Sequence, residues 1–377
     1  MTPLLLLAEA RGAAEHEFQS TLIGASGIEL LRMLAEAEVI QLDSVDDQLI
    51  DLYYRTNNSR HLMELWDKHP EVHRTNVFNI HPPHNDLNFF LGPKSTAIPG
   101  YPSLKIAKSK HLTPVGTFVQ ARFTSELERL GDEILAHNPN LIVALGNCAL
   151  WALTGLTGVS KLRGTTMESS LVVGGYKCLP TYHPAAVLRN YDLRPVVIAD
   201  LCKAARERQY PEIRRPEREI WIEPDIEEIR RFFDTMERTL LSVDIETVGD
   251  RITCIGFAPT SQCAIVIPFD DERGVDGNYW RTKELESEVW RLIRSILENP
   301  TISKLFQNGA YDISFLWRSM KIKVLGAEHD TLLLHHSLQP EALKRLDFLG
   351  SIYSDESAWK AEFRAKRNAN KTIKRDN

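Results

Sequence analysis

The sequence predicts an α/β protein of two domains, and three observations carry that reading. Over the first 200 residues, helical stretches alternate with short apolar strand-like runs, the pattern of a parallel or mixed sheet with helices on both faces. Three strand-like runs, LLSVDIE, RITCIGFAP and CAIVIPF, then follow one another directly, an opening that no doubly wound parallel sheet uses. Between the two series lies YPEIRRPEREIWIE at 210–223, with two prolines and alternating charge, the composition of a boundary. The expected division is a first domain at 1–209, a linker at 210–223, a second domain at 224–356 and a basic, flexible tail at 357–377.

Taken in order, PLLLLAEARG at 3–12 reads as a buried strand running into a loop. FTSELERLGDEILAHNPNLIVALGN reads as a helix and a buried strand. Ser125 and Glu128 have capping-box spacing, Leu127, Leu130 and Ile134 share a face, and Pro139 closes the helix. No period is readable from His81 to about Gly116. KLFQNGAYDISFL at 304–316 places a helix from near Gly309, with Asn308 and Asp312 on one side. In HDTLLLHHSLQPE, Asp330 reads as a helix cap, and His335 and His336 as packing residues.

Composition narrows the function classes. At 377 residues, 43% hydrophobic and 25% charged, the chain has apolar content for two cores. A formal net charge of −6 gives no global basic field, so nucleic-acid binding must rest on local patches. Cys148, Cys178, Cys202, Cys254 and Cys263 contain no C-x-x-C pair and read as thiols in a reducing compartment. The opening MTPLLLLAEARG lacks a basic flank, and no apolar run reaches 18 residues. The expectation is a soluble cytoplasmic protein with no membrane partner.

The stretch richest in chemistry is LSVDIETVGDRITCIGFAP at 241–259. On a strand, Asp244 and Glu246 project to one face and Val243 and Ile245 to the other. Adjacent like charges repel unless a cation sits between them, and hard cations take carboxylate oxygens. The alternative is an acidic strand end. Asp312 brings a third carboxylate from a different element.

D-I-E, then N-G-A-Y-D, then H-D-T in that order resemble the proofreading 3′–5′ exonuclease domain of family A DNA polymerases, phage polymerases in particular, over roughly residues 220 to 356. The resemblance implies a ribonuclease H-like domain with a mixed sheet and two-metal phosphodiester hydrolysis with Mg2+ or Mn2+. It implies Asp244, Glu246 and Asp312 as catalytic metal ligands, Asn308 as a residue positioned near the scissile phosphate, and single-stranded DNA 3′ ends as substrate. The family's fourth acid has no match: Ser357 stands four places after Tyr353, Glu341 five places after His336, and Asp355 and Asp376 are off the spacing. The tail KAEFRAKRNANKTIKRDN reads as a solvated run, with DNA phosphates as the other option. The reading expects the front part of a longer polymerase, or a separately encoded polymerase as partner.

AEARGAAEHEFQSTLIGASGIELLRML at 8–34, RTNVFNIHPPHNDL at 74–87, NLIVALGN with KLRGT, and TYHPAAVLRN at 181–190 fall in the order of family 4-like uracil-DNA glycosylases. That resemblance implies a three-layer α/β domain that flips uracil out of the stack and cleaves its N-glycosidic bond. Glu9 and Glu15 take the acidic positions, Asn76 the base-reading amide, and His183 the donor toward uracil O2. Arg11 replaces the motif proline, His16 an acid, and Leu22 the aromatic that would stack on the base. The four cysteines of the family's cluster have no equivalents and His81 stands at one such place, so no iron–sulfur cluster is expected. Two functions stay open: a phage replication or repair enzyme, with exonuclease and glycosylase activities, and a DNA-binding module that senses uracil or guides template to a polymerase.

Overall fold

The leucine run at the start organises the first unit of the computed structural model, which describes residues 4–106, 116–271, 273, 277–356 and 358. Strand β1 (Leu4–Ala10) sends Leu4 and Leu6 into one apolar core and Leu5 and Leu7 into another. A strand buried on both faces needs helices on both sides. The chain continues through α1 (Ala13–Phe18), α2 (Ala25–Glu36), α3 (Ser44–Thr56), α4 (Arg60–Asp67) and β2 (Val72–Phe78). The stretch without a readable period holds short 3₁₀ turns and β3 (Leu91–Gly92), which pairs with β4 (Phe118–Val119). Then come α5 (Thr124–His137), β5 (Leu141–Leu145), α6 (Asn147–Thr154), α7 (Val159–Leu162), β6 (Met167–Glu168), β7 (Lys177–Thr181), α8 (Pro184–Arg189) and α9 (Arg194–Glu207).

The sheet order is β2-β1-β5-β7-β6, parallel except for β6. This is the three-layer α/β domain that the sequence implies. Parallel strands bring the C-terminal ends of β1, β2, β5 and β7 to one edge, where ligand-binding loops of such sheets gather. The capping box expected at Ser125 and Glu128 does not form, because a 3₁₀ turn at Ala121–Phe123 starts the helix early and leaves Ser125 inside its first turn.

The second unit spans residues 215–346. It opens with β8 (Glu219–Ile222), inside the stretch expected to be linker, because Glu219 to Ile222 pair in parallel with Cys263 to Val266. After it come α10 (Ile226–Thr235), β9 (Leu240–Val248), β10 (Arg251–Ala258), β11 (Cys263–Pro268), α11 (Lys283–Leu297), β12 (Ser303–Phe306), α12 (Gly309–Met320), β13 (Ala327–Asp330) and α13 (Thr331–Leu338). The order is β13-β12-β9-β10-β11-β8. An antiparallel meander β9-β10-β11 is followed by β12 parallel to β9 and β13 parallel to β12, the mixed sheet of a ribonuclease H-like domain.

The last described helix, α14 (Leu346–Tyr353), lies within the stretch expected to close the second domain at 356. From Asp347 onward the chain groups with the first unit. Its polar groups meet Arg163 and Lys203 there. Among the described residues no helix is long and apolar enough to cross a membrane.

Candidate functional site

Strand β9 alternates as its sequence requires: Asp244 and Glu246 are exposed, Val243 and Ile245 buried. Asp312, in the first turn of α12, is buried and accepts a hydrogen bond of 3.2 Å from the Ile245 N–H. Burial raises the Asp312 carboxyl to about 6, the Ile245 N–H opposes this, and the Asp244 charge adds to it. Two of the three predicted acids are therefore near enough to feel each other. Glu246 shares the face of Asp244.

Asn308 stands just ahead of α12 with a left-handed φ of 63° and caps nothing with its side chain. The N–H groups of Asn308 and Gly309 donate to Asp330 at 3.1 and 2.8 Å, and the Leu332 N–H donates to it at 2.8 Å. One carboxylate thus caps the starts of α12 and α13. The hydroxyls of Tyr311 and Thr247 lie 2.6 Å apart and tie helix to strand beside the acids. His335 is buried on α13 and His336 is exposed.

Carboxylate oxygens suit a hard divalent cation. Among the described residues, however, no three His, Cys, Asp or Glu side chains gather closely enough to hold an ion. The donor set fits in kind and is open in geometry. Of the late aspartates, Asp355 pairs with Arg206 at 3.1 Å in the first unit, while Asp376 lies outside the described residues, as does the basic run from Lys360 on.

In the first unit, Glu9 at the end of β1 accepts from the Cys148 N–H (3.2 Å) at the start of α6. Burial lifts its carboxyl to about 7, against the pull of that N–H and of Arg189. His183 caps α8, its Nδ1 accepting from the Ala185 N–H at 3.2 Å. An imidazole that accepts at Nδ1 carries its proton on Nε2, free to donate. Burial, aided by Arg189, lowers His183 to about 4, so the ring is neutral near pH 7. Gly146 lets the two approach: a Cβ there would lie 2.6 Å from Glu9 Oε1 and 3.2 Å from the His183 Cβ, and its φ is +93°.

The other predicted residues form a second group. Glu15 accepts from the N–H groups of Gly12 (3.1 Å) and Leu22 (2.8 Å), so its carboxylate staples the loop after α1. Asn76 is fully buried; its Nδ2 donates to Thr21 Oγ1 at 3.0 Å, and its Oδ1 has no hydrogen-bond partner among the described residues. A buried amide oxygen without a partner suits a ligand N–H. Leu22 is the position expected to meet the base. Its side chain lies in the core beside α2, and its carbonyl accepts from Trp66 Nε1 at 2.9 Å. Gly146, Thr21 and Arg189 were not singled out from sequence; only the glycine left a signal, a strand followed by Gly and a helix.

The family pattern of the uracil DNA glycosylase superfamily matches residues 1–209. A DNA polymerase of Bacillus phage SP01 is 25% identical over 261 residues, which is 59% of this chain and 25% of that polymerase. A type-4 uracil-DNA glycosylase of Thermotoga maritima is 41% identical over 71 residues, 18% of this chain and 35% of the glycosylase. The chain therefore spans about a quarter and a third of the lengths of these relatives. Among solved structures, the EXD2 exonuclease domain soaked in Mg and dGMP is 16% identical with a TM-score of 0.26, covering 35% of this chain and 68% of that one. Brucella melitensis NrnC with bound Mg2+ is 15% identical with a TM-score of 0.25, covering 37% and 62%. With the match running through all of the first sheet, the strands that carry Glu9 and Asn76 and the turn that carries His183, this chain belongs to the uracil DNA glycosylase superfamily.

Proposed function

We propose that this chain acts as the front part of a phage-type DNA polymerase, joining a uracil-glycosylase-like unit to a metal-dependent 3′–5′ exonuclease for single-stranded DNA. The observation that carries this reading is the bond from the Ile245 N–H to Asp312, which fixes the third acid against the strand bearing Asp244 and Glu246. Relatedness to a phage DNA polymerase over 59% of the chain supports it. Asp244, Glu246 and Asp312 would hold Mg2+ or Mn2+. Bound ions would supply an activated water and stabilise the leaving oxygen. The chain's own share is positional: Asp330 sets the start of α12, and the Tyr311–Thr247 contact holds the helix to the end of the strand.

The test is release of label from single strands tagged at the 3′ or the 5′ end, with Mg2+ or Mn2+. Early release of 3′ label by wild type, abolished in Asp244→Ala, is the expected result. Binding without release under both metals would overturn the enzyme reading. It would favour the second one, a strand-binding module.

For the first unit we infer recognition of uracil in single-stranded DNA with slow release or none. His183 Nε2 is the donor for a base carbonyl, and Asn76 Oδ1 the acceptor for a ring N–H. Alkali-labile sites in a uracil-containing single strand measure release. Robust release would overturn the slow-turnover reading.

A further inference from the structure

We propose that α14 is a strap that completes the first unit, attached through a buried set of charges to the strand end that leads into His183. Lys203 is 3% exposed and donates to three carbonyls: Gly164 (2.9 Å), Ser351 (2.7 Å) and Ser354. An ammonium has three protons, so all are used, two of them on the last turn of α14 and the residue just past it. Helix C-terminal carbonyls lack partners within the helix and favour a cation.

Arg163 extends the attachment. Its Nε and Nη2 grip the carboxylate of Asp200, the former at 2.8 Å, while Nη1 donates to Ser351 Oγ at 2.8 Å. Its guanidinium lies 5.5 Å from the centre of the Phe348 ring. Asp200, fully buried, also accepts from Thr181 Oγ1 at 2.6 Å. Thr181 ends β7, two residues ahead of His183. Gly164 closes the circuit, its N–H donating to Pro180 O at 2.9 Å. A Cβ on Gly164 would lie 2.9 Å from Ser351 O, so the strap passes where a side chain would stand.

Two buried cations here flank the carboxylate of Asp200, and the strap supplies two carbonyls to Lys203 and one hydroxyl to Arg163. The chain leaves the first unit after Arg214 and rejoins it at Asp347, which makes residues 215–346 an insertion within that unit. Whatever loosens α14 should loosen the β7 end as well.

Hydrogen exchange on the full chain, with Lys203→Met against wild type, tests this. The expected result is at least about tenfold faster exchange over 347–353 and a smaller rise over 178–183, with 241–248 and 309–320 unchanged. Ser351→Ala removes one hydroxyl and should give a weaker rise at the same places, which serves if Lys203→Met does not fold. Unchanged exchange over 347–353 in the variants that fold would overturn the proposal. So would a rise there accompanied by 241–248 and not by 178–183.

Discussion

Ile245 donates its backbone N–H to the carboxylate of Asp312 across 3.2 Å, and its two neighbours in the strand are the acids Asp244 and Glu246. The helix-borne acid is thus held by the backbone against the strand that carries the other two. Asp312→Asn keeps an oxygen acceptor for that N–H and removes the charge. Nuclease activity should fall by about 100-fold or more, since ligand charge is what holds the ions, while thermal stability stays near wild type. Wild-type rates in this variant, measured on end-labelled single strands, would remove Asp312 from the metal reading.

Asp330 makes a separate prediction, because it accepts from Asn308, Gly309 and Leu332 at the starts of two helices. Asp330→Ala should cost the second unit about 2 kcal/mol, the upper end for the loss of one helix cap. Asp330→Asn, which keeps one acceptor oxygen, should cost less. Urea unfolding followed by a probe in residues 215–346 gives both values; a cost below about 0.5 kcal/mol for Asp330→Ala would contradict the double-cap assignment.

Much of this was legible in sequence where a period or a motif spoke for itself. The meander, the D-x-E face and the helix after Asn308 follow from alternation and spacing. The strand at Glu219–Ile222 was not, since two prolines and mixed charge outweigh four residues of strand pattern. The burial of Leu22 was not legible for a different reason. Motif alignment places a residue in the chain order of a family, whereas its direction is set by local contacts, here the φ of +61°, the bond its N–H donates to Glu15 and the bond its carbonyl accepts from Trp66. The return of α14 rests on Lys203 and Arg163, buried cations that no period announces.

Leu22→Ala tests that burial. A fully buried leucine truncated to alanine costs about 2–5 kcal/mol. A stability loss of that size, seen by chemical unfolding, is expected. A change within about 0.5 kcal/mol would put the side chain back at the surface of a base pocket.

Glu9 and His183 should shape the pH dependence of the first unit in opposite senses. The folded value of Glu9, about 7, lies above its ordinary 4.5, so its contribution to stability is full below 4.5 and lost as pH rises through 7. His183, about 4 against an ordinary 6.5, contributes fully above 6.5 and loses that contribution as pH falls through 4. Unfolding midpoints of Glu9→Gln should therefore decline less than wild type between pH 5 and 7, and those of His183→Asn less between pH 6.5 and 4. Parallel curves for wild type and both variants would rule out the two groups as the source.

Strand β8 sits at one edge of the second sheet and covers the backbone of β11 from Cys263 to Val266. Anyone who excises the second unit at residue 224, where composition suggests the domain begins, removes that cover. The bared strand CAIV would then present a row of open N–H and C=O groups with small, apolar side chains, a template for pairing with another molecule. Fragments begun at 215 should stay dispersed at concentrations where those begun at 224 form sheet-rich aggregates, so the choice of first residue decides whether a nuclease assay reports chemistry or precipitation.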